Sequence, residues 1–224
     1  MASMFNTQTS LADLALAVPA ASRVFRQYRL DFCCGGKRSI ADACKERGLD
    51  ANAVVAEIES HTEKSLDVDW RTAPLSKLVN HILVNFHEAH RRELVDLISL
   101  ARKVERVHAD KVTVPLGLAL HLSNMSDALE LHMQKEEQIL FPNILSGRGV
   151  QMQGPTTQME REHDEHALKL QQLRALTNDF APPNEACTSW RALLLRCEQL
   201  EADIMAHVHL ENHVLFPRAL RGDQ

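Results

Sequence analysis

Two stretches of the chain repeat one arrangement of imidazole and carboxylate side chains. HMQKEEQILFP at 132–142 and HVHLENHVLFP at 207–217 both read H-x3-E-x4-F-P, with no insertion between them. Upstream of the first lies HEAH (87–90), and upstream of the second HDEH (163–166). His87 precedes His132 by 45 residues, and His163 precedes His207 by 44. One His-x3-Glu pair alone is more often a surface contact on a helix. Two copies with matched flanks and matched upstream histidines point instead to a metal site, since no competing reading explains the duplication.

Residues four apart on a helix share a face, with Cβ atoms ~5–6 Å apart. His132 with Glu136, and His207 with Glu211, can therefore each address a common centre. Two helix pairs related by a pseudo-two-fold axis would aim four imidazoles and two carboxylates into one core. Facing carboxylates in an apolar interior need a cation between them. The expected centre is a pair of ions, each with two histidines, bridged by Glu136, Glu211 and an oxo or hydroxo group. Mixed nitrogen and oxygen ligation with an open position suits iron better than a structural zinc. Spacing leaves a choice open on two helices, because His90 and His166 follow His87 and His163 by three residues on roughly the same face. The expectation for His90 and His166 is a place beside the ligands or facing solvent. His81, His108, His121, His209 and His213 have no repeat partner and are expected at the surface or in packing. Glu160, Glu162, Asp164 and Glu165 read as a solvated face from which one carboxylate can hydrogen-bond a ligand histidine.

The elements that must position these side chains are long helices. Segments 75–106, 116–145, 155–178 and 186–220 carry apolar residues at spacings of three and four and are separated by Gly- and Pro-containing breaks. The fold class is all-α: an antiparallel four-helix bundle over 75–224, preceded by a small helical domain over 1–61 and a polar linker over 62–74. In the small domain, Thr9 or Ser10, Ser39 and Asp50 are candidate caps, Pro19 starts a second helix and Gly48 ends a third. About fifty residues of short helices make a marginal core, so this unit should lean on another surface. Phe141-Pro142 and Phe216-Pro217 are expected to pack and to kink their helices.

Composition fits this class. The 224 residues are 45% hydrophobic and 25% charged, enough for a sizeable core. A net charge of −5 without a Lys/Arg cluster argues against nucleic acid as a partner. The polar start and the lack of an apolar run of ~20 residues argue against export and the membrane, and place the protein in the cytoplasm. Cys33, Cys34, Cys44, Cys187 and Cys197 make an odd count without framework spacing, as expected of reduced thiols. The last three fall in helical patterns and are expected to pack. Cys33 and Cys34 lie in DFCCGGKR (31–38), a turn whose glycines should leave adjacent thiols accessible to iron, nitric oxide or oxidants.

The bundle pattern resembles the hemerythrin-like family of His-His-Glu cation-binding domains. With DFCCGGK in a short helical unit before it, the whole chain is similar to the di-iron proteins of iron–sulfur cluster repair, associated with nitrosative and oxidative stress. That resemblance implies a non-haem di-iron centre held by His87, His132, Glu136, His163, His207 and Glu211, preferring His87 to His90 and His163 to His166. It also implies a function for Cys33 and Cys34. Oxygen-carrying hemerythrins typically use more histidines and a late Asp, where this chain has Glu211. The implied activity is repair of damaged clusters by supplying iron. Reduction of nitric oxide, or binding of nitric oxide or oxygen at the same centre, is the alternative. Implied partners are damaged iron–sulfur or cluster-assembly proteins, with nitric oxide or oxygen as small ligands and a second copy of the chain as a candidate.

Overall fold

The computed structural model describes residues 5–61 and 68–223. Four short helices come first: α1 (Leu11–Ala17), α2 (Pro19–Gln27), α3 (Ile40–Arg47) and α4 (Ala51–Ser60). Their ends follow the local chemistry. Ser10, Ser39 and Asp50 accept backbone N–H groups of the first turns of α1, α3 and α4. Gly48 closes α3 in the left-handed region at φ 66°. The DFCCGGKR turn is zipped onto the start of α1 by Leu11 N–H to Arg38 O and Ala12 N–H to Gly36 O. Leu11, Leu14, Phe25, Phe32, Ile40, Val54 and Ile58 form this unit's own core.

Four long helices follow. α5 runs through Leu75–Ile82, Leu83–His87 and Glu88–Val107, and α6 through Leu118–Lys135, Glu136–Leu140 and Phe141–Leu145. α7 is Gln153–Leu176, and α8 runs through Thr188–Leu210, Glu211–Leu215 and Phe216–Arg221. Each packs on its neighbours, α5 on α6, α6 on α7, α7 on α8 and α8 on α5, which is the expected antiparallel bundle. Among the described residues no helix is long and apolar enough to cross a membrane.

Three of these helices contain a wider π turn, at Leu83–His87, Glu136–Leu140 and Glu211–Leu215. In each the bond spans five residues: Glu88 N–H to Leu83 O, Phe141 N–H to Glu136 O, Phe216 N–H to Glu211 O. Pro142 and Pro217 then fall in the first turn of the resumed α-helix, where a missing N–H costs little. The expected kink at each Phe-Pro pair is thus a π turn just before it. α5 has one without a proline, and α7 is α-helical throughout.

The bundle interior is layered. Leu94, Leu97, Leu122, Leu129, Trp190 and Leu200 belong to one apolar cluster. Leu78, Ile82, Phe141, Met159, Leu215 and Phe216 belong to another. Along every helix the polar residues His87, His132, Glu136, His163, His207 and Glu211 fall between members of the two clusters, and all six are buried.

The small unit leans on α8, as a unit of its size must. Cys33 joins the bundle's own apolar cluster, and Arg29 forms an ion pair with Asp179. The first part of the expected linker, 62–67, lies outside the described residues. Its last part is tied down, since Arg218 donates to the carbonyls of Trp70 and Ala73. One expectation fails for Cys187, which is exposed at the cap position of α8 with its sulfur 3.2 Å from His108 Nε2, rather than packed. Helical periodicity extended back to this residue, but the helix begins one residue later.

Candidate metal centre

The structure brings all six sequence-predicted residues of the bundle into two groups of four that share both carboxylates. One group is His87, His207, Glu136 and Glu211; the other is His132, His163, Glu136 and Glu211. His87 Nε2 lies 3.1 Å from His207 Nε2, and His163 Nε2 lies 3.0 Å from His132 Nε2. Glu136 reaches both groups, with Oε2 3.5 Å from His87 Nε2 and Oε1 3.4 Å from His132 Nε2. Glu211 does the same, with Oε2 3.1 Å from His163 Nε2 and Oε1 3.2 Å from His207 Nε2. Each position therefore takes one histidine from each copy of the repeat.

This donor set fits cations. All four carboxylate oxygens of Glu136 and Glu211 are buried without a hydrogen-bond donor, a costly state unless a metal takes their lone pairs. Burial pushes the Glu136 carboxyl well above the usual range, with the Glu211 charge adding to it. At Glu211 the same burial is outweighed by His207 and His163, which hold it well below. Burial first, and then His207, pulls His87 down to about 4, so it stays a neutral ligand at neutral pH.

Residues 78–219 match the hemerythrin HHE cation binding domain, and residues 7–62 match a domain of unknown function, DUF542. The chain belongs to the hemerythrin HHE family. It is 48% identical over 213 residues to the iron-sulfur cluster repair protein YtfE of Citrobacter koseri, covering 95% of this chain and 97% of that protein. Proteins of the same name from Escherichia coli SMS-3-5 and Shigella boydii match with equal identity and coverage.

Around this hemerythrin HHE centre, three of the four imidazoles are held from behind. His87 Nδ1 donates to Glu137 at 2.8 Å, His132 Nδ1 to Glu162 at 3.0 Å, and His163 Nδ1 to the Asn212 carbonyl at 2.8 Å. A proton on Nδ1 leaves the Nε2 lone pair facing the centre. The carboxylates are themselves held, Glu137 by Arg91 and Glu162 by Lys135 and Gln158. Partial burial works to raise Glu162, but Lys135, Gln158 and His132 together bring it down to about 2. The expected carboxylate of the acidic face is thus Glu162, serving His132 on the neighbouring helix.

Glu137 and Asn212 were not singled out from the sequence. The signal was there, because each follows the Glu of its own repeat copy, and each holds the upstream histidine of that copy. The Phe of each Phe-Pro pair covers the same histidine: Phe141 lies 5.7 Å from His87, and Phe216 stacks at 6.0 Å on His163. His90 and His166 do not face solvent. They are buried against His207 and His132, with ring centroids 5.4 and 5.0 Å apart, and their Nε2 atoms have no partner. Helical spacing put them near the ligand face, and the neighbouring helices close over them.

The thiol turn lies against this centre, away from the six residues themselves. Asp31, also missed, organises it: its carboxylate accepts N–H groups of Cys33, Cys34 and Gly35 and the Cys33 thiol. Asp31, Cys33 and Cys34 form a third group with the spacing to hold a metal. Only Cys34 is partly exposed, whereas Cys33 is buried, which corrects the expectation that both thiols are accessible. The Cys34 sulfur 3.8 Å away and burial push the Cys33 thiol well above its ordinary pKa. α8 grips the turn by three side chains: His209 donates to Phe32 O, while Asn212 and His213 both donate to Cys33 O. Gly36 permits this approach, since a Cβ there would sit 2.3 Å from Phe32 O and 2.5 Å from His213 Nε2. Asn212 therefore touches Cys33 with one end and His163 with the other.

Proposed function

We propose that this protein repairs damaged iron–sulfur clusters in the cytoplasm by holding two non-haem irons and giving iron up. His87, His132, His163 and His207 would ligate them, with Glu136, Glu211 and an oxo or hydroxo group as bridges. The observation that carries the reading is the pair of buried four-residue groups sharing both carboxylates. The relatives named for cluster repair support it across nearly the whole chain. Bound there, iron supplies an exchangeable, redox-active ion in a water-poor interior.

The protein's own residues do the rest. The Nδ1 partners of His87, His132 and His163 hold these imidazoles with Nε2 aimed at the centre, so the site is formed before a metal binds. Because both carboxylates are shared, either position taken alone would still offer an ion two imidazoles and both glutamates. Cys34, at the surface of the turn, is where a damaged iron–sulfur or cluster-assembly protein would meet the chain. Asn212 joins that turn to a ligand. Nitric oxide and oxygen are the small molecules expected to reach the same centre.

The test uses one preparation of a Cys33→Ala/Cys34→Ala variant. It should retain two irons per chain and an unchanged absorption spectrum, because the turn is gripped by backbone carbonyls and not by its sulfurs. It should restore little activity to a nitric-oxide-treated cluster enzyme. Full repair by the variant would reduce the cysteines to a structural turn, and failure of repair by the iron-loaded native protein would overturn the function.

A further inference from the structure

The two metal positions are matched by the repeat, yet their surroundings are not. Glu162 stands immediately before His163 and holds His132 Nδ1 of the other copy at 3.0 Å. The equivalent residue before His87 is Phe86, and it stacks on His207 at 5.3 Å with the rings 6° from parallel. A phenyl ring accepts no ordinary hydrogen bond, and His207 Nδ1 is buried with no partner. So the His132/His163 position has both imidazoles held, by Glu162 and Asn212, while the His87/His207 position has one, by Glu137.

We infer that the two positions differ in hold on their ion, the His87/His207 position being the exchangeable one and the His132/His163 position the retained one, and that Phe86 and Glu162 set the difference. Losing a polar partner behind a ligand typically costs ~10–100-fold in metal affinity. The native protein lacks such a partner at His207 alone. Phe86 and Glu162 are positioning residues, since each touches a ligand and neither touches an ion. The inference rests on the proposed function only for its meaning, in that the exchangeable ion is the one given to a client. The difference itself is a property of the side chains.

The experiment loads the full chain with cobalt(II) without oxygen and follows its loss to an excess of chelator by the cobalt spectrum. Native protein should lose one equivalent ~10–100 times faster than the other. Glu162→Leu should bring the slow phase up to the fast one, and Glu162→Gln, which keeps an acceptor for His132, should restore the slow phase. Phe86→Gln, which offers His207 an acceptor, should slow the fast phase. Glu162 is largely covered at the edge of the bundle, and native helical circular dichroism of its variants, measured alongside, separates loss of ligand support from loss of fold. Loss of both equivalents at one rate from the native protein, or a Glu162→Leu effect confined to the fast phase, would overturn the inference. Neither outcome depends on repair activity, so failure of the repair reading would be seen separately.

Discussion

At the scale of single residues, position within the repeat matters more than residue type. Glu136 and Glu211 each touch both groups, whereas His90 and His166 lie behind one ligand apiece. Glu136→Ala and Glu211→Ala should each leave less than one iron per chain, while His90→Ala and His166→Ala keep most of theirs; iron assay after gel filtration decides this, and equal loss in all four would mean the ligand face is misassigned. Thiol reactivity separates the cysteines in the same way. Burial pushes Cys197 up to about 12, so at pH 8 it stays a protonated, unreactive thiol. Burial raises Cys44 as well, and Cys33 is raised by Cys34 and by burial. Iodoacetamide at pH 8 should therefore label Cys34 and Cys187 on the native protein and spare the other three, as read by peptide mass. Duplication singled out His132, Glu136, His207 and Glu211 in the sequence, whereas the choice of His87 over His90 and of His163 over His166 came from the family resemblance. Glu137 and Asn212 were less legible, because the two copies use different residue types for one task, and a repeat search rewards identity.

At the scale of elements, helix periodicity located the four long helices but not their π turns. Phe-Pro marks two of the turns, and the one in α5 leaves no such mark. Its extra residue shows only once His87 must face His207. The grip of α8 on the thiol turn was equally hidden, since His209 and His213 looked like residues without a partner in the repeat and Asn212 was not singled out. Asn212→Leu tests that grip. It removes a donor from Cys33 O and leaves His163 Nδ1–H buried and unpaired, at a cost of about 1–3 kcal/mol. At about 2–4 °C per kcal/mol for a chain of this size, the melting temperature should fall by roughly 2–12 °C. Iodoacetamide labelling of Cys33 should rise with it. An unchanged melting curve together with a still-protected Cys33 would show that His209 and His213 suffice.

At the scale of the whole molecule, a polar layer between two apolar clusters is a weak seam unless cations fill it. Buried carboxylates and unpaired imidazoles oppose packing there, and metal reverses the sign. Binding to the folded state alone adds about 4 kcal/mol at a free metal concentration 1,000 times the dissociation constant. Iron-loaded protein should thus melt roughly 8–16 °C above the same protein treated with chelator, measured by circular dichroism at 222 nm. Equal melting temperatures would mean that the layer is stable by itself. The sequence showed that the small unit has only a marginal core and should lean on another surface. It could not show which face receives it, because contacts such as Phe32 O to His209 join residues 177 apart and follow no period.

The sharing of ligands between the two copies has a consequence for ancestry. α5 and α6 supply His87, His132 and Glu136, and α7 and α8 supply His163, His207 and Glu211. Neither hairpin can complete either position alone, but two identical hairpins about a two-fold axis would complete both. A self-pairing helical hairpin would therefore have owned a working centre before any gene doubled. In such a dimer the two positions would be compelled to be equal, and any berth on one hairpin would be duplicated on the other. Joining the copies in one chain lifts that compulsion. Phe86 opposite Glu162, Asn212 opposite Glu137, and a single thiol turn lodged on α8 are differences that one continuous chain can inherit and a symmetric pair cannot.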